Sequence, residues 1–178
     1  MRIVAICGSL RKLSFNLMLL ENLKMHLVDH DFEILDISKF PVYSMDLEDD
    51  FPGSVIDVAE RILSAEALVF ATPEFNFTIS SPLKNAIDWL SRVESKPLNS
   101  KACAILGVSA GGLGTVRAQS HLRQIGVYFD WKLLNQPEVM ISKGYSKFNK
   151  QGILTDENDS KKFGQFAEKL ISHIEIYK

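Results

Sequence analysis

The chain has 178 residues, with 20 Lys and Arg against 22 Asp and Glu, a formal charge of −2. At roughly 150 residues per domain this is one domain, residues 1–178, and 46% apolar with 24% charged residues excludes a disordered chain. A near-neutral balance, with pI about 6.1, argues against general binding to nucleic acid or an anionic membrane, which needs a clustered basic surface. No apolar run is long enough to span a bilayer.

Short apolar runs alternate with helical patterns from end to end. Arg2–Cys7, Phe32–Ile37, Ala67–Thr72, Ala102–Ser109 and Lys132–Ile141 read as strands. The first, third and fourth are apolar almost throughout, as expected of parallel strands covered on both faces. Arg2–Cys7 is too short and wrongly flanked for a secretory signal, so a cytoplasmic protein is expected. The two cysteines, Cys7 and Cys103, lie inside these apolar runs and read as buried strand residues, not as a disulfide or metal pair. Helical stretches fill the gaps at Asn16–His30, Ser54–Ala65, Leu83–Arg92 and Thr115–Val127, and a last one carries Phe163, Phe166, Ala167, Leu170, Ile171 and Ile174. Asp156, Asn158 and Asp159 precede that last helix as capping-type residues. Asp46–Asp50 holds four acids and reads as a solvated loop; Lys143–Gly152 is polar and reads as a surface loop. Such alternation implies right-handed crossovers and a parallel sheet with helices on both faces. In sheets of this kind ligands sit beyond the carboxyl ends of the strands, where strand order reverses.

Three loops should meet there. The first, Gly8-Ser9-Leu10-Arg11-Lys12-Leu13-Ser14-Phe15-Asn16, runs straight into a helix. Hydroxyls, an amide and an arginine at a helix N-terminus favour an anion, above all a phosphate monoester; the plainer alternative is an N-cap at Ser14 or Asn16 in an ordinary turn. Neither a Gly-x-Gly-x-x-Gly fingerprint nor a Walker loop is present. The second loop, Thr72-Pro73-Glu74-Phe75-Asn76-Phe77-Thr78, reads equally as the border of a flat heteroaromatic ligand or as phenylalanines plugging the core. The third, Gly107-Val108-Ser109-Ala110-Gly111-Gly112, allows close backbone approach to a ligand. It also matches Gly-x-Ser-x-Gly, the nucleophile elbow of serine hydrolases. Only His121 and His173 follow Ser109, and neither lies on a loop after a strand, which speaks against a triad.

Together these loops resemble the NADPH-dependent FMN reductase family of flavodoxin-like proteins, which includes quinone, azo-compound and chromate reductases. The resemblance rests on Gly8–Asn16, on Thr72–Asn76 running on to Leu83–Arg92, and on Ser109–Gly112. It implies an α/β flavodoxin-like fold, with five parallel strands in order 2-1-3-4-5 and one FMN per subunit. It implies that Ser9, Arg11, Ser14, Phe15 and Asn16 hold the FMN phosphate, with Phe15 contributing backbone. Pro73, Glu74, Phe75 and Asn76 would line the isoalloxazine, and Ser109, Gly111 and Gly112 would approach its other side. The family usually has tyrosine where Phe75 stands, and a Pro-Gly where this chain has Ser80-Ser81-Pro82.

The activity so implied is an NAD(P)H oxidoreductase that reduces quinones or similar small-molecule acceptors in two half-reactions at one flavin face. The protein binds and orients while the flavin carries the chemistry, so no catalytic side chain and no metal are nominated. A flavodoxin-type electron carrier is the alternative within the same fold. A homodimer or dimer of dimers is expected. Trp89 lies off the apolar stripe Leu83, Ala86, Ile87 and Leu90, and reads either as an interface residue or as packed under a loop of its own subunit.

Overall fold

The computed structural model describes all residues, Met1–Lys178. Six strands alternate with five helices: β1 (Arg2–Cys7), α1 (Phe15–His26), β2 (Asp31–Leu35), α2 (Gly53–Leu63), β3 (Ala67–Ala71), α3 (Ser81–Arg92), β4 (Ala102–Val108), α4 (Val116–Tyr128), β5 (Lys132–Leu133), β6 (Val139–Ile141) and α5 (Glu157–Tyr177). The sheet is parallel throughout, in the order β2-β1-β3-β4-β5, with β6 also paired to β4. This is the flavodoxin-like order that the family resemblance implies. No helix is long and apolar enough to cross a membrane.

Strands β1, β3 and β4 are buried over nearly their whole length because helices cover both faces. One core packs Val4, Ile6, Leu68, Phe70 and Ile105 against α2, α3 and α4. The other packs Ile3, Ala5, Val69, Ala104 and Leu106 against α1 and α5. Alternate residues of one strand thus serve opposite cores, as a period of two requires. Cys7 belongs to the second core and Cys103 to the first, and both are free. Burial pushes both thiols above their usual range.

Two expectations need correction. The run Lys132–Ile141 is not one strand. Its first two residues pair with Ala102 and Cys103, and Val139–Ile141 pair with Leu106–Val108. Pro137, which has no N–H to give to the ladder, lies in the intervening residues that leave the sheet. Trp89 is not an interface residue either. It is fully buried, and its Nε1 donates to the Pro41 carbonyl at 2.8 Å. Tyr43 and Phe51 meet its ring edge-on, with centroids 5.1 and 5.6 Å away. The segment after β2 covers it within the same chain.

Candidate functional site

Strand order reverses between β1 and β3, and the loops after β1, β3 and β4 meet beyond their carboxyl ends. They enclose a cavity of about 410 Å³ lined by fourteen residues. Eleven of the twelve residues nominated from the sequence line it: Ser9, Arg11, Ser14, Phe15, Asn16, Pro73, Glu74, Phe75, Ser109, Gly111 and Gly112. Val108, Ala110 and Leu113 complete the wall. They interleave with or flank the nominated residues of the third loop, so contiguity alone could have found them. Asn76 does not line the cavity. Phe75 and Thr78 close a two-residue hairpin through reciprocal backbone bonds of 3.0 Å, and its turn carries Asn76 into an adjoining groove.

The first loop gathers hydrogen-bond donors at the N-terminus of α1. Ser14 caps α1, its Oγ accepting the Leu17 N–H at 3.3 Å, which leaves its hydroxyl hydrogen free to donate. The N–H groups of Phe15 and Asn16 have no acceptor within the helix, and no acidic residue stands in the first turn. The Arg11 guanidinium donates to the Leu13 carbonyl and lies 5.0 Å from the Phe15 ring centroid. It forms no ion pair, whereas Arg2, Arg61, Arg92 and Arg123 all do. Phe15 is wedged between Tyr145 and Phe148, at 4.9 and 5.8 Å, so the segment read as a mere surface loop props the site from below.

Asn16 has a different part from the one implied for its side chain. Its Nδ2 donates to the Val108 carbonyl at 3.0 Å, and its Oδ1 accepts the Val108 N–H at 2.9 Å. The amide therefore ties the first loop to the third, and the backbone N–H remains for a ligand. Glu74 likewise spends its carboxylate on structure. Its Oε2 accepts the N–H groups of Arg117 and Ala118 at 2.9 and 3.1 Å. Thr115, at the N-cap of α4, makes no side-chain cap, so Glu74 caps that helix from another loop.

The third loop is shaped for approach. A Cβ on Gly111 or Gly112 would meet nothing within 4 Å, so their backbone faces open space. Gly107 is glycine for another reason: a Cβ there would lie 2.2 Å from Thr115 Oγ1 and 2.6 Å from the Thr72 carbonyl oxygen. Ser109 Oγ accepts the Gly114 N–H at 3.1 Å and donates to the Gly111 carbonyl at 3.2 Å. His121 hydrogen-bonds Thr78 and His173 the Lys132 carbonyl, so neither engages Ser109. The Gly-x-Ser-x-Gly match is a packing and turn motif, not a nucleophile elbow. Phe75 and Phe77 are 56% and 63% exposed, which removes the reading of this loop as a core plug.

The pattern of the NADPH-dependent FMN reductase family matches residues 1–146, all but the end of the last loop and α5. An NAD(P)H-dependent FMN reductase of Pseudomonas aeruginosa is 46% identical over 158 residues, 88% of this chain and 85% of that one. The chain belongs to the NADPH-dependent FMN reductase family. Membership makes it an oxidoreductase working with FMN and NAD(P)H. A 2-hydroxy-1,4-benzoquinone reductase of a Burkholderia species is similar over 171 residues at 37% identity, covering 95% of this chain and 93% of that one. Among solved structures, a flavoenzyme NAD(P)H:(acceptor) oxidoreductase from Paracoccus denitrificans superposes with a TM-score of 0.91 at 30% identity, covering 99% and 98% of the two chains.

The residues present fit FMN. An unpaired arginine, a free hydroxyl and two helix N–H groups suit its phosphate, and the open glycines leave room for a flat ring.

Proposed function

We propose that the protein, as a single domain, holds FMN in this cavity and passes electrons from NAD(P)H to quinones or similar acceptors, the two substrates occupying the same face in turn. The observation that carries the reading is the meeting, in one cavity, of an arginine without a carboxylate, a helix N-terminus without an acid, and two unobstructed glycines. When bound, FMN supplies the redox chemistry, accepting a hydride and releasing electrons to the acceptor. The chain's own residues bind and orient. Arg11, Ser9, Ser14 and the N–H groups of Phe15 and Asn16 hold the phosphate. Asn16 fixes the first loop to the third through Val108. Pro73, Glu74 and Phe75 border one side of the ring system; Ser109, Gly111 and Gly112 border the other. No side chain has to move a proton, which agrees with a cavity holding one carboxylate already engaged by backbone N–H groups. Initial velocities with varied NAD(P)H and quinone test the shared face. Parallel double-reciprocal lines are expected; intersecting lines would mean both substrates bind together.

A homodimer or dimer of dimers is part of the same reading, with the Leu83–Arg92 stretch of α3 near the contact. Its support is the exposed apolar side chains of the three loops, Leu10 and Leu13 in the first, Phe75 and Phe77 in the second and Leu113 in the third, which a second copy would shield from water. Light scattering at low micromolar concentration tests it. A single 20.0 kDa chain with full activity would overturn it. A cytoplasmic location also belongs to this reading, supported by the two free buried thiols on opposite faces of the sheet.

A further inference from the structure

Gln119, near the start of α4, is fully buried and does not line the cofactor cavity. Its Nε2 donates to Thr115 Oγ1 at 3.0 Å and to the Val139 carbonyl at 2.8 Å. A carbonyl can only accept, so the Val139 contact fixes which end of the amide is nitrogen. No protein group donates to the buried Oε1. A methionine would fill the same space and leave no acceptor unpaired, so packing does not account for an amide here. What the amide adds is its two donations.

The two donations reach two supports of the glycine loop. Thr115 ends that loop with φ +68°, left-handed backbone that a β-branched residue rarely adopts and keeps only where its surroundings hold it there. Gly114, just before it, has φ +61° and crosses β6 so closely that a Cβ would lie 2.5 Å from the Met140 carbonyl oxygen. Val139 opens β6, a strand of three residues that pairs with β4 alone. The end of that strand and the residues after it carry the middle of the loop. Ser109 N–H donates to the Ile141 carbonyl, Lys143 N–H to the Gly111 carbonyl and Gly144 N–H to the Ser109 carbonyl, each at 2.9 Å. Gln119 thus joins the exit of the loop to the strand on which its middle rests.

We propose that Gln119 is a positioning residue for the cofactor, setting Gly111 and Gly112 against the flavin ring system through Thr115 and β6. The inference rests on the proposed function, since it needs the ring system to lie along this loop. Gln119 touches neither cofactor nor substrate. It acts by holding Thr115 in its left-handed conformation and β6 in place, so that the open glycines stand at one fixed height.

The test titrates full-length wild type, Gln119→Met, Thr115→Val and the double variant with FMN and with riboflavin, which has the ring system and no phosphate. Flavin fluorescence reads each dissociation constant, after far-ultraviolet circular dichroism has shown each variant folded. Gln119→Met keeps the length of the side chain and loses both donations, so it should weaken both flavins by the same factor, about tenfold. Thr115→Val removes one of the two bonds and should weaken both about threefold. The double variant should lose less than the product of the two factors, because the side chains share one bond. Visible circular dichroism of the bound flavin should change in Gln119→Met, a signature that lowered stability alone would not produce. Wild-type affinity in a folded Gln119→Met would overturn the proposal. So would weakened FMN with riboflavin unchanged, which would place the effect at the phosphate, and so would independent losses in the double variant. If Gln119→Met does not fold, Thr115→Val decides, since it leaves the amide in the core. A wild type that binds neither flavin would sink the proposed function itself; a wild type that binds both, with variants that bind them equally well, would sink only the role of Gln119.

Discussion

Asn16 and Val108 exchange two hydrogen bonds across the carboxyl edge of the sheet, at 2.9 and 3.0 Å, and both groups are buried. The pairing of β3 with β4 ends at Ala71 and Leu106, and Thr72 adds one last bond to the Leu106 carbonyl. Val108 therefore has no strand partner on that side, and a side-chain amide, which mimics a peptide group, takes the place of the missing strand. This ties the first loop to the glycine loop. Asn16→Ala should cost about 1–3 kcal/mol for each buried group left unpaired, read from urea unfolding of the FMN-free protein. Asn16→Asp keeps the acceptor for the Val108 N–H but adds a negative charge beside the phosphate site. It should unfold later than Asn16→Ala in its FMN-free form at neutral pH and still bind FMN poorly. The reverse order in urea would mean the Val108 carbonyl needs the donor more than its N–H needs the acceptor.

Arg11→Ala should release FMN far more readily than Ser109→Ala. A charge-assisted contact contributes about 1.5–3 kcal/mol against about 0.5–1.5 for a neutral hydrogen bond. Ser109 is moreover occupied in shaping its own loop, through Gly114 and Gly111. Flavin fluorescence during titration gives both dissociation constants. Equal values would mean that the phosphate lies elsewhere.

The glycines of the third loop should separate by experiment. Gly107→Ala would drive a Cβ into Thr115 and the Thr72 backbone, and overpacking of this kind costs about 1–3 kcal/mol or more. Its thermal midpoint should fall even without FMN. Gly111→Ala meets nothing in the protein, so its effect should show in FMN affinity and not in the melting of the FMN-free chain. A Gly111→Ala variant that binds FMN as wild type does would move the ring system away from this loop.

The anchoring of α5 should fail in acid. Asp156 caps the helix, its Oδ1 accepting the Asp159 N–H at 3.0 Å, and its Oδ2 meets Lys147 at 2.7 Å. The Lys147 ammonium, then the Asp159 N–H, hold its carboxyl below the usual 3.8. A carboxyl with a lowered folded value stabilises the fold fully above its unfolded value, and that contribution is lost as pH falls from there through the folded value. Asp156→Asn should therefore be less stable than wild type at neutral pH and lose less on acidification. Helical circular dichroism across an acid titration of both proteins reads the difference. Parallel acid limbs would count against it.

Much of this was legible in the sequence because it depended on neighbours in the chain. The uninterrupted apolar runs of β1, β3 and β4 gave a doubly covered parallel sheet, and the hydroxyls and Arg11 before α1 pointed to residues that line the cavity. What was not legible depended on partners distant in sequence. The Asn16 amide answers Val108, 92 residues away, and the Glu74 carboxylate caps a helix 43 residues on. No local pattern encodes either. Trp89 misled because its helix periodicity sets it off the stripe, while its cover, Pro41, Tyr43 and Phe51, comes from an irregular segment with no period to read. Asn76 misled because a two-residue hairpin reverses the chain within the loop.

In the proposed reading this cavity holds FMN and presents it to NAD(P)H and then to an acceptor. Anaerobic stopped-flow absorbance in the flavin band tests it most directly, mixing FMN-loaded protein first with NADPH and then with a quinone. The prediction is rapid, saturable bleaching, followed by full return of colour with one quinone consumed per flavin. A protein that retains no flavin, or a bound flavin that bleaches only slowly and without saturation, would contradict it.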